Sequence, residues 1–82
     1  MESFDRFSIW LRGCEINGTK VYCLEGEGET GLYKVWKEYE YKHNYYNDVA
    51  TYHVWIKGHW LTATTNYQSA LAMWNNHKGG GG

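Results

Sequence analysis

The stretch YHVWIKGHWLTA, residues 52–63, decides much of the fold because it places two apolar runs on either side of Lys57-Gly58. A two-residue turn at that dipeptide pairs Trp55 with Trp60 across two antiparallel strands. Cross-strand partners project from the same face of a sheet, so the two indoles lie side by side. The stretch therefore predicts a β-hairpin with an indole face and an aliphatic face, the latter made by Tyr52, Val54, Leu61 and Ala63.

The same turn fixes the register of the hairpin farther from Lys57-Gly58. Counting outward predicts that Val54 lies opposite Leu61 and that His53 lies opposite Thr62. A slip of one residue would move side chains to the other face, so this register decides which residues accompany the indoles.

A helix is predicted directly after the hairpin. Thr65 followed three residues later by Gln68 has the pattern of a capping box. His77 and Lys78 suit the C-terminal end of the helix dipole, and Gly79 is typical of a helix stop. The apolar residues recur at helical spacing and form one stripe, made by Tyr67, Ala70, Leu71 and Trp74.

This apolar stripe must pack against one face of the hairpin, because a short helix is not stable alone in water. We expect it to cover the aliphatic face, which leaves Trp55 and Trp60 pointing outward as binding candidates. If the stripe covers the indole face instead, both tryptophans belong to the core.

A first hairpin is predicted in IWLRGCEINGTKVYCLE, residues 9–25, around Asn17-Gly18. Asn-Gly is the strongest short-range signal for a type I′ turn. The resulting register sets Glu15 beside Lys20. It places Cys14 and Cys23 as diagonal neighbours, too far apart for a disulfide, so two free thiols are expected.

The segment EGEGETG, residues 25–31, alternates acids with glycines and predicts a mobile acidic loop. Residues 32–42 fit two patterns. Alternation of tyrosine and valine favours a strand, which we expect, but the apolar spacing also fits a helix. The KHNYYND segment that follows, residues 42–48, has the composition of a connecting loop.

These elements predict an α+β fold, an antiparallel sheet of about five strands packed on one C-terminal helix. The strands are two hairpins plus one intervening strand. If residues 32–42 are helical, the order becomes ββαββα instead. Residues 1–78 are expected to form a single globular domain, and residues 79–82 a flexible glycine tail.

Composition indicates a small domain stabilised by large side chains. The 82 residues include five Trp, eight Tyr and two Phe, more aromatic surface than a domain of this size can bury. The net charge of −1 argues against the strong positive electrostatic field that is typical of proteins that bind nucleic acid or a membrane surface. The N-terminal residues lack the apolar run of a signal peptide, so a soluble cytoplasmic protein is expected, in the host cytoplasm if it is viral.

The sequence predicts a non-enzymatic protein-interaction domain that needs no cofactor or metal. The two cysteines and four histidines show neither catalytic nor metal-ligand spacing. Small proline-free domains of this kind are frequent among phage and mobile-element accessory inhibitors of host factors, the anti-CRISPR and anti-restriction proteins among them. The expected contacts are exposed aromatics and the acidic segment, namely Trp36, Tyr45, Tyr46, His53, Trp55, Lys57, Trp60, Glu25, Glu27 and Glu29.

The alternative function is binding of single-stranded nucleic acid or a small planar ligand. Trp55 and Trp60 would then form a stacking platform, flanked by Lys57, His53 and His59. An exposed aromatic sheet face is also compatible with a homodimer interface.

Overall fold

The computed structural model describes residues 3–42, 44–47 and 49–79, and for residues 39–41 and 44–47 it describes the backbone. The chain runs through two helices and five strands in these residues. They are α1 (Phe4–Ile16), β1 (Thr19–Glu27), β2 (Thr30–Tyr41), β3 (Asn44–Asn47), β4 (Thr51–Ile56), β5 (His59–Thr64) and α2 (Tyr67–His77). Neither of the helices described is long and apolar enough to cross a membrane.

The sheet is antiparallel throughout and its main part has the order β1-β2-β4-β5. The short β3 pairs with the far end of β2, beyond the end of β1. The α+β class and the antiparallel sheet are therefore confirmed. Residues 32–41 lie in β2, and Lys42 follows the end of this strand, so the ββαββα alternative is wrong. Strand β3 replaces most of the loop predicted at residues 42–48.

The N-terminal helix α1 was not predicted, and the first hairpin is wrong. Ser3 caps the helix, since its Oγ accepts a hydrogen bond of 3.2 Å from the backbone N–H of Asp5. The helix ends at Asn17, and Gly18 follows with φ of +90°. Asn-Gly tolerates positive φ, which serves a helix end as well as a type I′ turn. Glu15 and Lys20 thus lie on a helix and a strand rather than opposite each other.

The two helices cover opposite faces of the sheet. On one side α2 packs on the aliphatic face, in a cluster built from Leu32, Val54, Ala70 and Trp74. On the other side α1 packs on a second cluster, built from Phe7, Leu11, Tyr33, Val35 and Trp55. The expectation that the C-terminal helix covers the aliphatic face is confirmed. Trp55 is nevertheless fully buried, because α1 covers the indole face at that point.

The second hairpin forms as predicted at its turn end, where Trp55 lies opposite Trp60. Beyond this pair the register shifts by one residue, so that Val54 lies opposite Thr62 and His53 opposite Ala63. The predicted pairings of Val54 with Leu61 and His53 with Thr62 are therefore wrong. Leu61 is the extra residue of a β-bulge and packs against the α2 cluster, and Ala63 moves to the α1 side.

The N-terminal cap of α2 lies one residue later than predicted. Asn66, rather than Thr65, accepts a hydrogen bond of 3.1 Å from the backbone N–H of Ser69. Lys78 is the C-terminal cap of the helix, and Gly79 does not have a positive φ, so the predicted glycine stop is wrong. Beyond Gly79, the predicted glycine tail lies outside the described residues.

Both cysteines are free thiols, as predicted, although for a different reason. Cys14 lies on α1 and Cys23 on β1, rather than diagonally across one hairpin.

Candidate binding surfaces

Three surfaces of the described residues present aromatic side chains, charged side chains or both. The indole surface, on the α1 side of β5, consists of Trp10, Trp60 and Ala63. The hairpin end consists of Glu25, Glu27, Glu29 and Lys57, around the turns that join β1 to β2 and β4 to β5. The sheet platform, on the α2 side of β1, β2 and β4, consists of Lys20, Tyr22, Lys34, Trp36 and Tyr52, with Tyr67 of α2 beside it.

The indole surface lies where α1 leaves the sheet edge open. Trp60 is 45% exposed although its cross-strand partner Trp55 is fully buried. Trp10, on α1, is 40% exposed and stacks on Phe7, with 5.8 Å between the ring centroids. Ala63, also exposed, lies on the same side of β5 as Trp60. Two half-exposed indoles and a small side chain therefore lie on the same side of the sheet.

His53 lies beneath Trp10, on the strand next to Ala63. Its ring centroid is 5.5 Å from that of Trp10 and 5.1 Å from that of Phe7. The side chain is buried, and neither ring nitrogen has a hydrogen-bond partner among the described residues. Burial lowers the pKa of His53 below its ordinary value of 6.5, because the charged imidazolium loses hydration without gaining a partner. His53 therefore supports the indole surface as a neutral ring.

This burial predicts a loss of stability on mild acidification. The unfolded chain takes up a proton at His53 at a higher pH than the folded chain does, so the free energy of unfolding falls as the pH drops below about 6.5. His53→Leu removes this contribution. We expect the decrease in unfolding free energy between about pH 7.5 and pH 5.5 to be smaller in this variant than in the wild type, as measured by urea denaturation. The matched control is the exposed His59, as His59→Gln. An equal decrease in the wild type and His53→Leu would contradict the burial of a neutral ring.

The hairpin end joins two turns through backbone hydrogen bonds. The N–H of Gly58 donates to the carbonyl oxygen of Glu29 at 3.0 Å, and the N–H of Lys57 donates to Oγ1 of Thr30 at 2.9 Å. Strand β1 runs to Glu27 and β2 begins at Thr30, so the predicted mobile acidic loop is instead a two-residue hairpin turn. The three glutamates are exposed as predicted. Glu29 lies next to the Lys57-Gly58 turn, and Glu25 and Glu27 lie at the end of β1.

The sheet platform was missed by the sequence interpretation. Tyr22 lies opposite Lys34, and Lys34 in turn lies opposite Tyr52 on the next strand. One step along the same face, Lys20 lies opposite Trp36. Nζ of Lys34 lies over the Trp36 ring, 4.7 Å from its centroid. The alternation of lysine and aromatic residues along β1 and β2 is visible in the sequence, but the wrong first hairpin assigned the β1 residues to other partners.

The predicted contact residues do not form one site. His53 and Trp55 are buried, so the expectation that Trp55 points outward is wrong. Trp36 lies on the α2 side of the sheet, opposite the side that carries Trp60. The backbones of Tyr45 and Tyr46 belong to β3, and their side chains lie outside the described residues. Trp60 and the four charged residues of the hairpin end remain exposed on neighbouring parts of the surface.

Cys23 and Tyr33, near the hairpin end, are held in their neutral forms. Burial raises the pKa of Cys23, whose thiol donates to the carbonyl oxygen of Glu25 at 3.2 Å. Burial, together with the neighbouring Cys23, raises the pKa of Tyr33 to about 12. Its hydroxyl donates to the carbonyl oxygen of Gly28 at 2.7 Å. Burial also raises the pKa of Cys14. These thiols therefore lack the depressed pKa that activates a nucleophilic cysteine.

Metal ligands do not cluster in the part of the chain that the structure describes, where no three His, Cys, Asp or Glu side chains could hold one ion. Comparisons with protein-family models, curated proteins and solved structures found no match to this chain.

Proposed function

We propose that this domain is a non-enzymatic binding module that docks onto a partner protein through the indole surface. The observation that supports this proposal most strongly is the half-exposure of Trp10 and Trp60 on one side of the sheet. Tryptophan is among the residues most enriched at the energetic centres of protein interfaces. Covering the remaining indole area would contribute on the order of a few kcal/mol to binding.

The indole surface is supported by packing that holds it ready to bind. Trp10 rests on Phe7, which is fully buried, and on the buried His53. Trp60 lies close to the Lys57-Gly58 turn, as the second residue of β5. This turn is held by the N–H of Gly58, which donates to the carbonyl oxygen of Glu29. A surface fixed in this way loses little conformational entropy on binding, which favours affinity.

The hairpin end defines the chemistry of the partner. Glu25, Glu27 and Glu29 are exposed and outnumber the single exposed cation of this end, Lys57. A partner with lysine and arginine side chains around an apolar pocket would complement both the indoles and the carboxylates. The charges would mainly raise the association rate and add salt dependence.

The narrower expectation of an accessory inhibitor of a host factor, of anti-CRISPR or anti-restriction type, is one form of this proposal. This expectation comes from the size and composition of the chain. Such an inhibitor would contact its target through the indole surface and the hairpin end. A protein inhibitor needs a rigid contact surface and no catalytic group, and the indole surface with the hairpin end offers such a surface.

The proposal can be tested with an immobilised wild-type chain and three variants exposed to an extract of the cells in which the protein is made. Trp60→Ser removes an exposed anchor of the indole surface. Tyr22→Ser is the matched control, because Tyr22 is 60% exposed but lies on the other sheet face. A third variant changes all three glutamates of the hairpin end to glutamine. We expect the wild type and Tyr22→Ser to retain the same proteins, Trp60→Ser to lose them, and the glutamine variant to retain them with weaker salt dependence.

Identical retained proteins for the wild type and Trp60→Ser would overturn the proposal. Light scattering of the isolated chain completes the test, because a homodimer that buries Trp60 would also overturn it by occupying the surface with a second copy. We expect the wild type and Trp60→Ser to be monomers.

A further inference from the structure

The sheet platform combines features that the protein-binding proposal does not use. It lies on the α2 side of the sheet, whereas Trp10 and Trp60 lie on the α1 side. Tyr22 is 60% exposed and Tyr67 is 39% exposed, and Lys20 is exposed beside them. Helix α2 packs over β4, β5 and Leu32 of β2, and it leaves Lys20 and Tyr22 of β1 exposed.

The residues of the platform alternate between aromatic and cationic in both directions of the sheet. Across the strands the row reads Tyr22, Lys34, Tyr52, and the next row reads Lys20, Trp36. Adjacent strands are about 4.8 Å apart, and alternate residues of one strand are about 6.7 Å apart. The distance from each lysine to its aromatic neighbours is therefore similar to the length of one nucleotide.

A pocket at one side of the platform suits a planar ring. It has a volume of about 220 Å³ and is lined by Leu24, Lys34, Tyr52 and Tyr67. The rings of Tyr52 and Tyr67 meet there at a centroid distance of 5.2 Å, with their planes tilted by 50°. A water molecule takes up about 30 Å³ in the liquid, so this pocket has room for a larger group.

The charges at the platform favour an anion. Lys34 lies at its centre, between Tyr22 and Tyr52, and Lys20 lies on the edge strand β1. The N-terminus of α2, the positive end of its dipole, begins at Tyr67, and the first turn described there has no acidic residue. Glu38 lies two residues beyond Trp36 on the same strand, and Glu25 lies opposite Leu32. These two carboxylates bound the platform at its ends and limit its length.

We infer that the sheet platform binds a short stretch of single-stranded nucleic acid, with bases stacked on the exposed aromatic rings and phosphates contacted by Lys20 and Lys34. One ring accommodates one base, so the two exposed rings, Tyr22 and Tyr67, correspond to about two bases. The site differs from the Trp55 and Trp60 platform expected from the sequence, because Trp55 is buried. The inference does not depend on the indole surface, which lies on the opposite sheet face.

The affinity follows from the small number of phosphate contacts. Two lysines give weak binding, with a Kd of roughly 10 to 100 μM at low salt. For single strands each contact contributes about −0.7 to the slope of log K against log salt concentration, so the expected slope is about −1.4. A duplex would bind more weakly, because its bases are already stacked on one another.

The test is fluorescence anisotropy with a labelled oligothymidylate of about twelve nucleotides, at salt concentrations from about 20 to 200 mM. Tyr22→Ala should weaken binding by about 5- to 100-fold, as loss of one stacking ring does. Lys34→Gln should weaken binding and reduce the salt slope by about 0.7. The matched controls are Trp60→Ala and Lys57→Gln, the same kinds of change on the indole surface and at the hairpin end. Unchanged thermal unfolding would show that the variants remain folded.

Several results would overturn the inference. One is the absence of binding by the wild type at the lowest salt concentration. A second is equal weakening by Tyr22→Ala and Trp60→Ala. A third is binding of the matched duplex as tight as that of the single strand, which would indicate charge attraction without stacking. A fourth is tighter binding of an acidic polyglutamate peptide than of the oligonucleotide, which would assign the platform to acidic proteins instead.

Discussion

Replacement of Trp55 by alanine is expected to cost about 3 to 5 kcal/mol of the free energy of unfolding. Trp55 is fully buried, and its ring centroid lies 5.3 Å from that of Phe4 and 5.0 Å from that of Phe7. A chain of this length has a total stability of about 4 to 12 kcal/mol, so Trp55→Ala is expected to remove a large part of it. Urea denaturation followed by circular dichroism would measure the difference.

Trp60 provides the matched control for Trp55, since the two are cross-strand partners and the same residue type. Because Trp60 is 45% exposed, Trp60→Ala should cost less, about 1 to 2 kcal/mol. Trp55→Phe should cost less than Trp55→Ala. The phenyl ring keeps part of the packing and removes a buried N–H that has no partner among the described residues. Equal costs for Trp55→Ala and Trp60→Ala would contradict the coverage of this face by α1.

Gly26→Ala should destabilise the fold by about 2 to 5 kcal/mol, for two separate reasons. Gly26 has φ of +73°, a conformation that costs an alanine about 1 to 2 kcal/mol. An added Cβ would also contact the carbonyl oxygen of Thr30 and lie 2.7 Å from the ring of Trp74. The helix α2 or the hairpin end must therefore shift to accept it.

Gly28 separates the two effects, because it also has a positive φ, of +56°, but no atom within 4 Å of an added Cβ. Gly28→Ala should therefore cost only the backbone contribution, about 1 to 2 kcal/mol. Thermal unfolding of both variants would give the difference. A cost for Gly26→Ala no greater than that for Gly28→Ala would show that Trp74 does not pack against Gly26.

Local signals in the sequence predicted the second hairpin and α2, although the caps of α2 were placed at the wrong residues. Lys57-Gly58 forms the predicted two-residue turn, with φ of +49° and +80°. The helical spacing of Ala70 and Trp74 predicted α2 and the face that it buries. The bulge at Leu61 could not be predicted, because it depends on how β5 packs against the rest of the fold rather than on the turn.

The first helix shows how one dipeptide can support two structures. Phe4, Phe7 and Leu11 have the spacing of a helix face, and Phe7 and Leu11 are buried in α1. Asn17-Gly18 was interpreted as a hairpin turn because both residues tolerate a positive φ and the helix that precedes them was not predicted. A helix end uses the same preference, as Gly18 does after α1.

This single misassignment also explains what the sequence interpretation missed at the candidate sites. Exposure of Trp60 was predicted correctly, since it follows from the hairpin and the face that α2 covers. Burial of Trp55 depends on α1, a distant part of the chain. The sheet platform requires Lys20 and Tyr22 to pair with β2, which only the correct assignment of β1 provides.

The division of the tryptophans between core and surface is tested most directly by fluorine NMR of the chain labelled with 5-fluorotryptophan. Each of the five resonances can be assigned by single substitution, and a neutral gadolinium chelate broadens those that solvent reaches. We expect strong broadening for Trp10 and Trp60, and little for Trp55 and Trp74, which α1 and α2 cover from opposite sides. Broadening of Trp55 equal to that of Trp60 would contradict the covered face and, with it, the indole surface proposed to bind a partner.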